Sequence, residues 1–418
     1  MTALNAAKPT SASTGTVTAP SRSLPKGGGA LRGMGEKFAT NPVTGTGSFA
    51  VPIAVSPGRG GAGPQLTLTY DSGAGNGPFG FGWGLNLPSI SRRTDKGLPR
   101  YQDEPDPDVF VLSGAEDLVP VFRQDPDGSW VAQHPDHQRD PLGQWVRDAS
   151  GRQVVHEDEH EPYRVRRYRP RLEGLFALIE RWTHRVTGET HWRTISRDNV
   201  TTLYGRDPNA RIADPADPGR IFSWLISESY DDRGNAFWYR FKADDAHGVD
   251  PAAAHERQRL SGPTAQRYLK RIRYGNRTPR AVGEDLAQRT DWMFEVVFDY
   301  GDHAGEAPTP SETSLWPERQ DSFTTCRAGF ELRTRRLCRR VLMFHHFPSE
   351  GAAGPDEPAI GNDCLVRATE LLLRMEDSNL TDAERRASEA RLESMVQLLL
   401  ATDDVRLKRL EVIDEVKN

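Results

Sequence analysis

Hydrophobic and polar positions alternate with a period of two through much of this chain, the pattern of strands that bury one face. Phe49, Val51 and Ile53 alternate around Ala50 and Pro52, and Leu66, Leu68 and Tyr70 alternate with Thr67 and Thr69. Pro52 has no amide proton to donate, which predicts an edge position for its strand. Further along, Phe222, Trp224 and Ile226 alternate, Tyr230-Asp231-Asp232-Arg233-Gly234-Asn235 supplies turn chemistry, and Phe237, Tyr239 and Phe241 alternate again. That sequence predicts a hairpin. The clearest strand covers 292–300, where Trp292, Phe294, Val296, Phe298 and Tyr300 project to one side, Glu295 and Asp299 to the other, and Gly301 ends the run. Its apolar face has to be covered by protein. Residues 330–347 predict one or two more strands, with Leu337, Val341 and Met343 on one side and the arginines towards solvent. The polar connectors 244–261 and 304–320 read as surface loops.

The two ends of the chain follow other patterns. Residues 1–23 are rich in Ala, Ser, Thr and Pro and nearly free of large apolar side chains, so they cannot bury enough surface to offset the entropy of ordering. They are predicted to be a disordered leader. Residues 24–99 are Gly-rich with interspersed apolar positions, which fits short strands joined by tight turns. Near the other end, Thr381-Asp382-Ala383-Glu384 is a capping box, and Leu392, Met395, Val396 and Leu399 follow at helical spacing. This predicts a helix of about five turns, which residues 403–418 either extend or follow with a second short element. The expected organisation is a leader (1–23), a β-rich region (24–367) and a helical tail (368–418). The expected fold is mainly β, an antiparallel, hairpin-rich sheet with a C-terminal α-helix.

Composition narrows the function. Gly (38) and Pro (30) make up 68 of 418 residues, a share that favours turns over long helices. The 54 basic and 59 acidic side chains nearly cancel to −5, leaving no global field to attract nucleic acid or an anionic membrane surface. No run of 18 or more apolar residues occurs, so no transmembrane helix is predicted. The N-terminus lacks the charged and apolar regions of a secretory signal, so synthesis is expected in the cytoplasm and export, where it occurs, by a non-classical route. Cys326, Cys338 and Cys364 are an odd number without a C-x-x-C pair, which argues against a disulfide scaffold and a cysteine-rich zinc site.

Several motifs invite a catalytic reading and lose to a plainer one. His156-Glu157-Asp158-Glu159-His160 matches H-E-x-x-H, the helical zinc pattern. Pro162 follows at once, no apolar face is available to dock such a helix, and further acids crowd the segment, so a solvated acidic loop is expected. His134 and His137 lie in a similar polar stretch beside Pro135. Glu157 and Glu159 form the E-x-E of some ADP-ribosyltransferases, three residues with almost no specificity. The strings Gly58/Gly60/Gly63 and Gly75/Gly77/Gly80 match G-x-G-x-x-G, but neither opens a helix that would hold a pyrophosphate; both read as tight turns. No nucleophile, base or metal set converges, so catalytic, cofactor-binding and metal-ligating residues are each expected to be none.

The Gly-rich opening, LPKGGGALRGMGEKFATNPVTGTGSFAVPIAVSPGRGGAGPQLTLTYDSGAGNGPFGFGWGLNLPSISRRTDKGLPRY followed by DVFVLSGAEDLVPV, resembles the N-terminal region of the SpvB and TcB family. This family holds the virulence-plasmid B protein of Salmonella and the TcB components of insecticidal toxin complexes. RYRPRLEGLFALIERWTH, HWRTISRDNVTTLYG, RIADPADPGRIFSWLISESYDDRGNA, YLKRIRYGN, WMFEVVFDYG and RAGFELRTRRLCRRVLMFHHF carry the resemblance on to about Arg367. It implies the opening of a large Rhs/YD-repeat shell, in which Tyr70-Asp71, Tyr230-Asp231 and Asp299-Tyr300 resemble YD units. In TcB proteins a TcC partner completes the shell around a cytotoxic segment, and an inserted β-propeller docks on a TcA pore. The similar region of the virulence-plasmid protein precedes an ADP-ribosyltransferase domain. After Arg367 the resemblance ends, and about fifty further residues are too few for a transferase, a propeller or the rest of a shell.

The function this implies is a non-catalytic scaffold of a toxin complex, serving cargo encapsulation or secretion, with TcC/Rhs-like and TcA-like partners and self-association through open strand edges. Two other classes stay open. One is a toxin enzyme, either an ADP-ribosyltransferase or a metallohydrolase on His156 and His160, which NAD transfer and metal analysis would reveal. The other is a carbohydrate- or surface-binding module using exposed Trp and Tyr, which glycan binding would reveal.

Overall fold

A computed structural model describes residues 37–40, 46–102, 108–114, 116–124, 130–132, 162–172, 174–254, 256–257, 264–305, 307–347, 361–372 and 408–411. Among them the regular structure is β-strand, with three single-turn 3-10 segments, Arg59–Gly61, Pro208–Ala210 and Leu286–Gln288. The capping box, the predicted helix after it and the leader lie outside the described residues. Within 403–418, Lys408–Glu411 is a strand. Among the described residues no helix is long and apolar enough to cross a membrane.

The chain opens on a small sheet of β1 (Lys37–Thr40), β2 (Gly47–Ile53), β3 (Leu66–Asp71) and, after the short hairpin of β4 (Asn76–Gly77) and β5 (Gly80–Phe81), β6 (Trp83–Leu85). Val51, Ile53, Leu66 and Leu68 turn inwards, as their alternation predicts. The edge reading of Pro52 is corrected: β2 lies between β1 and β3. The β1 ladder stops at Ala50, so Pro52 meets Thr67 of β3 on one side and owes no amide to the other.

Next comes a closed barrel. The hairpin of β10 (Phe122–Gln124) and β11 (Trp130–Ala132) stands apart from it. Its strands are β7 (Ser89–Arg92), β8 (Phe110–Leu112), β9 (Glu116–Pro120), β12 (Tyr163–Pro170), β13 (Leu178–His184), β14 (Thr190–Ile195), β15 (Thr201–Tyr204) and β17 (Asp217–Tyr230). Each pairs antiparallel with the next, β17 pairs back onto β7, and the ring closes. Eight strands leave an interior just wide enough for side chains to fill. Four aromatic residues fill it: Phe110 lies 5.8 Å from Tyr168, 5.0 Å from Trp192 and 5.7 Å from Trp224, ring centre to ring centre. Trp224 Nε1 donates to the Thr190 carbonyl at 2.9 Å, so this indole is not left unsatisfied.

The expectation that Phe222, Trp224 and Ile226 share a face is also corrected. β16 (Arg211–Asp214) pairs with β17 so that Ile212 faces Ser223 and Ala213 faces Ile221, which makes Phe222 the extra residue of a bulge. Ile221 therefore joins Trp224 and Ile226 in the main core, while Phe222 packs with Ala265, Ala328 and Leu332 on the other side.

From β17 the sheet leaves the barrel and runs open through β18 (Ala236–Ala243), β19 (Arg267–Asn276), β20 (Trp292–Asp299), β23 (Arg340–Phe347) and β24 (Gly361–Leu372), with a two-strand ladder of β21 (Phe323–Thr325) and β22 (Leu332–Thr334) alongside. The parallel strand β25 (Lys408–Glu411) covers Thr369–Leu372 of β24. The β17–β18 hairpin falls where predicted: Asp231 Oδ1 accepts from the Arg233 and Asn235 amides, and Gly234 takes the left-handed conformation at φ 78°. One core joins the small sheet, the barrel and the open sheet.

Three readings of this half change. Phe294, Val296, Phe298 and Tyr300 do share the main core, but Trp292 packs apart from them with Ala236 and Leu286, and the opposite face is buried as well: Val297 packs with Leu342 and Phe344, and Glu295 and Asp299 are each 1 % exposed. Most arginines of 330–347 do not face solvent: Arg333, Arg335 and Arg336 are buried and Arg340 is half-buried, while Arg339 alone is exposed as expected. Nor are the connectors mere surface loops; Asp244, Glu256, Trp316 and Arg319 are buried within them.

Candidate functional site

Among the described residues, the sequence motifs that invite a catalytic reading form turns. His134, His137 and the 156–160 segment lie outside the described residues. Gly58 and Gly60 belong to a 3-10 turn closed by the Gly58 amide on the Ala62 carbonyl at 2.6 Å, and Gly75, Gly77 and Gly80 to the β4–β5 hairpin. Both are turns, as the sequence predicts. The cysteines are free thiols, with Cys338 buried and Cys326 exposed. Among the described residues no group of three or more His, Cys, Asp and Glu side chains could hold a metal ion.

What the fold builds instead is a set of buried ion pairs that tie loops to strands. Glu256 accepts from Arg333 Nη2 and Arg335 Nη2, each at 2.7 Å, and Asp244 accepts from Arg336 Nη2 at 2.9 Å. Arg336 also donates to the Trp316 carbonyl at 2.6 Å, so one fully buried guanidinium holds two connectors. Burial opposes the charge on Glu256, but the two arginines outweigh it and lower its pKa. Arg340 bonds Asp299 at 2.6 Å and the His303 carbonyl. Buried charges of this kind are costly to separate, which fixes register more than it adds stability. Sequence reasoning missed them because arginine at alternate positions resembles a solvated face. The available signal was the matching pair of acids, Asp244 and Glu256, in a connector of otherwise surface-like composition.

The polar ladder reaches the last long strand. Glu295 on β20 accepts from Arg271 at 2.7 Å and Arg273 at 3.1 Å on β19, and His346 on β23 lies 3.1 Å from it. Burial pushes the Glu295 carboxyl up, but the His346 hydrogen bond and both arginines bring it down to about 2. The other ring nitrogen of His346 lies 2.8 Å from Asp363 on β24, and His346 is correspondingly raised against the pull of burial. Asp363 sits at φ 54°, next to one of two register shifts between β23 and β24. Such irregularities twist an edge strand away from indiscriminate pairing. On the side away from β23, residues 361–368 of β24 have no ladder partner among the described residues. This edge, placed by four cross-linked strands, is the candidate functional site.

Comparison with known proteins agrees with this architecture. A family model, SpvB: Salmonella virulence plasmid 65kDa B protein, matches residues 41–347. The chain is 34 % identical over 338 residues to Mono(ADP-ribosyl)transferase SpvB of Salmonella typhimurium strain 14028s, covering 78 % of this chain and 51 % of that protein. It thus spans about half the length of the curated relatives it matches. Its structure is similar to the N-terminal domain of the effector SpvB from Salmonella typhimurium strain LT2, at 33 % identity and a TM-score of 0.59, over 76 % of this chain and 92 % of that one. It is similar to TcdB2-TccC3 at 34 % identity and a TM-score of 0.64, over 84 % of this chain and 16 % of that one. It is similar to the Photorhabdus luminescens Tc holotoxin pore at 35 % identity and a TM-score of 0.63, over 84 % and 15 %. With its closed barrel leading into an open, ion-paired sheet, the chain belongs to the SpvB family and shares its fold with the N-terminal domain of SpvB and with TcB-type shells.

Proposed function

We propose that this chain is a non-catalytic scaffold of a toxin complex and that β24 is where its sheet continues into a shell. The observation that carries this reading is the run of paired strands from β17 to β24, ending on an edge whose residues 361–368 have no ladder partner among the described residues, in a fold similar to TcdB2-TccC3. An unsatisfied long edge is a template for another chain. In this reading a TcC/Rhs-like protein adds strands beyond β24 and completes a shell around a cargo, a TcA-like protein receives the assembly, and export follows a non-classical route. Self-association through the same edge is the behaviour of the chain without a partner. The match to the SpvB N-terminal domain supports a scaffold rather than a transferase, because that domain is covered almost entirely.

Size-exclusion chromatography with light scattering, with the chain alone and co-expressed with TcC-like and TcA-like proteins, tests the reading. A stoichiometric complex that replaces self-association supports it. A monomer that ignores both partners overturns it, as does transfer of labelled ADP-ribose from NAD, or killing of cells, by this chain alone.

A further inference from the structure

A cavity of about 400 Å3 opens where three connections meet: the β13–β14 turn, the β16–β17 hairpin and the entry to β19. Pro208, Pro215, Pro218 and Ile221 give it apolar walls, and the charges along it are almost all answered. Arg211 Nη1 bonds Glu189 at 3.1 Å, its Nε and Nη2 bond the Gly205 and Arg206 carbonyls, and Arg220 bonds Asp214 at 2.7 Å. Arg267 is different. Its Nη1 donates to the carbonyls of Thr264, Ala265 and Gln266 at 2.9, 3.3 and 3.1 Å, its buried Nε has no partner, and it forms no ion pair. By contrast Arg92, Arg271, Arg319, Arg333 and Arg336, all buried, each hold a carboxylate. Burial lowers the pKa of Arg267, and Asp207, too far away for an ion pair, offsets this only in part.

We propose that this cavity binds the carboxylate of a ligand with a small apolar body, through Arg267. The head-group edge left free, Nε with Nη2, is the planar fork that matches a carboxylate. Nη2 makes the first contact, and a small rotation of the head group brings the enclosed Nε into the second bond. With Arg211–Glu189 and Arg220–Asp214 neutral as pairs, Arg267 is left with no carboxylate in direct contact, and Glu189, Asp214 and the more distant Asp207 repel a dianion. The carboxylate belongs either to a free organic acid or to the C-terminus of a polypeptide; their chemistry at Arg267 is the same.

Titration calorimetry on the full chain at low salt tests this with phenylacetate, its neutral amide phenylacetamide, and the dianion phenylphosphonate. Phenylacetate is expected to bind at one site, with the amide and the phosphonate about tenfold weaker or more. Arg267→Gln should weaken phenylacetate by a similar factor, and Ala213→Leu, which fills the cavity and leaves Arg267 in place, should do the same. If Arg267→Gln does not fold, Ala213→Leu decides alone. An acetylated tripeptide ending in leucine with a free carboxylate identifies a polypeptide source if it binds more tightly than phenylacetate, and a free acid if it does not. No saturable binding, preference for the phosphonate, equal binding of the amide, or binding unchanged in the folded variants would overturn the proposal.

Discussion

At the scale of single residues, Phe294 concentrates the packing of the open sheet. Its ring lies 5.2 Å from Tyr274, 5.1 Å from His345 and 5.8 Å from Phe347, and the residue is 7 % exposed. Truncating such a ring to alanine costs ~3–5 kcal/mol, so Phe294→Ala should move the urea midpoint well below the parent's. Gly275, on the neighbouring strand, has φ 68°, and a Cβ there would lie 2.4 Å from Phe294 Cδ2. Gly275→Ala therefore meets two penalties, a left-handed backbone and a clash with a ring that cannot withdraw. The clash disappears once the ring is gone. In the Phe294→Ala background Gly275→Ala should cost less than in the parent, leaving only the backbone part of ~1 kcal/mol. Additive losses in the double variant would show that the two residues do not meet as described.

At the scale of elements, connectors are held by charge where strands are held by alternation. Asp244 is the carboxylate for the fully buried Arg336, and Arg336 in turn reaches the carbonyl of Trp316 with its guanidinium 4.7 Å from the indole ring. Asp244→Asn keeps the shape and removes the charge, leaving the buried Arg336 only the longer 3.7 Å contact to the half-buried Asp245, an arrangement that costs up to about 3–5 kcal/mol. The expected readout is a lower unfolding midpoint together with faster protease cleavage in 244–257; cleavage at the parental rate would mean that the pair does not hold the loop. The contrast explains what could be read in advance. The inward faces of β2, β3, β18 and β20 were legible because each residue's environment follows from neighbours two positions away. The Asp231 turn was legible because its hydrogen bonds close within four residues. Closure of the barrel was not, because β7 meets β17 more than 120 positions later, through Ser91 and Ser223. The bulge at Phe222 is set by β16, and a period-two pattern has no way to register an extra residue. The ionic brackets join residues 77 to 92 positions apart, and a sequence read locally assigns each member to solvent.

At the scale of the whole molecule, the titrating groups give the fold a direction in pH. Among the described residues three histidines are held neutral. His191, between Tyr163 and Trp182, is depressed to about 3 by burial and by Arg206, Arg211 and Arg193. His303 is lowered by burial and by Lys270: its Nδ1 donates to the Thr309 carbonyl at 2.9 Å, so its Nε2 accepts from the Lys270 ammonium at 3.0 Å and has no room for a proton. His345, with Ser56 Oγ 2.7 Å from its Nε2, is lowered by burial and by His346. In the unfolded chain each of these takes up a proton near pH 6.5, while the folded state does not, so their stabilisation is full above that value and lost as pH falls below it. His346 works the other way. Its raised pKa gives a contribution present below pH 6.5 and lost as pH rises through the folded value, and it offsets one of the three. Glu295 and Asp245, both lowered to about 2, keep their contributions until pH falls below about 4, while Glu228, raised by burial, adds stability as pH falls towards its unfolded value and offsets a second of the three histidines between pH 6.5 and 5. Each net proton changes stability by about 1.4 kcal/mol per pH unit. The urea midpoint should therefore fall steadily between pH 6.5 and 5. His191→Phe, which keeps an aromatic ring between Tyr163 and Trp182 and removes the deepest shift, should flatten that slope. A midpoint that stays level or rises on acidification, or a slope unchanged in His191→Phe, would mean that these imidazoles are not held neutral by the fold.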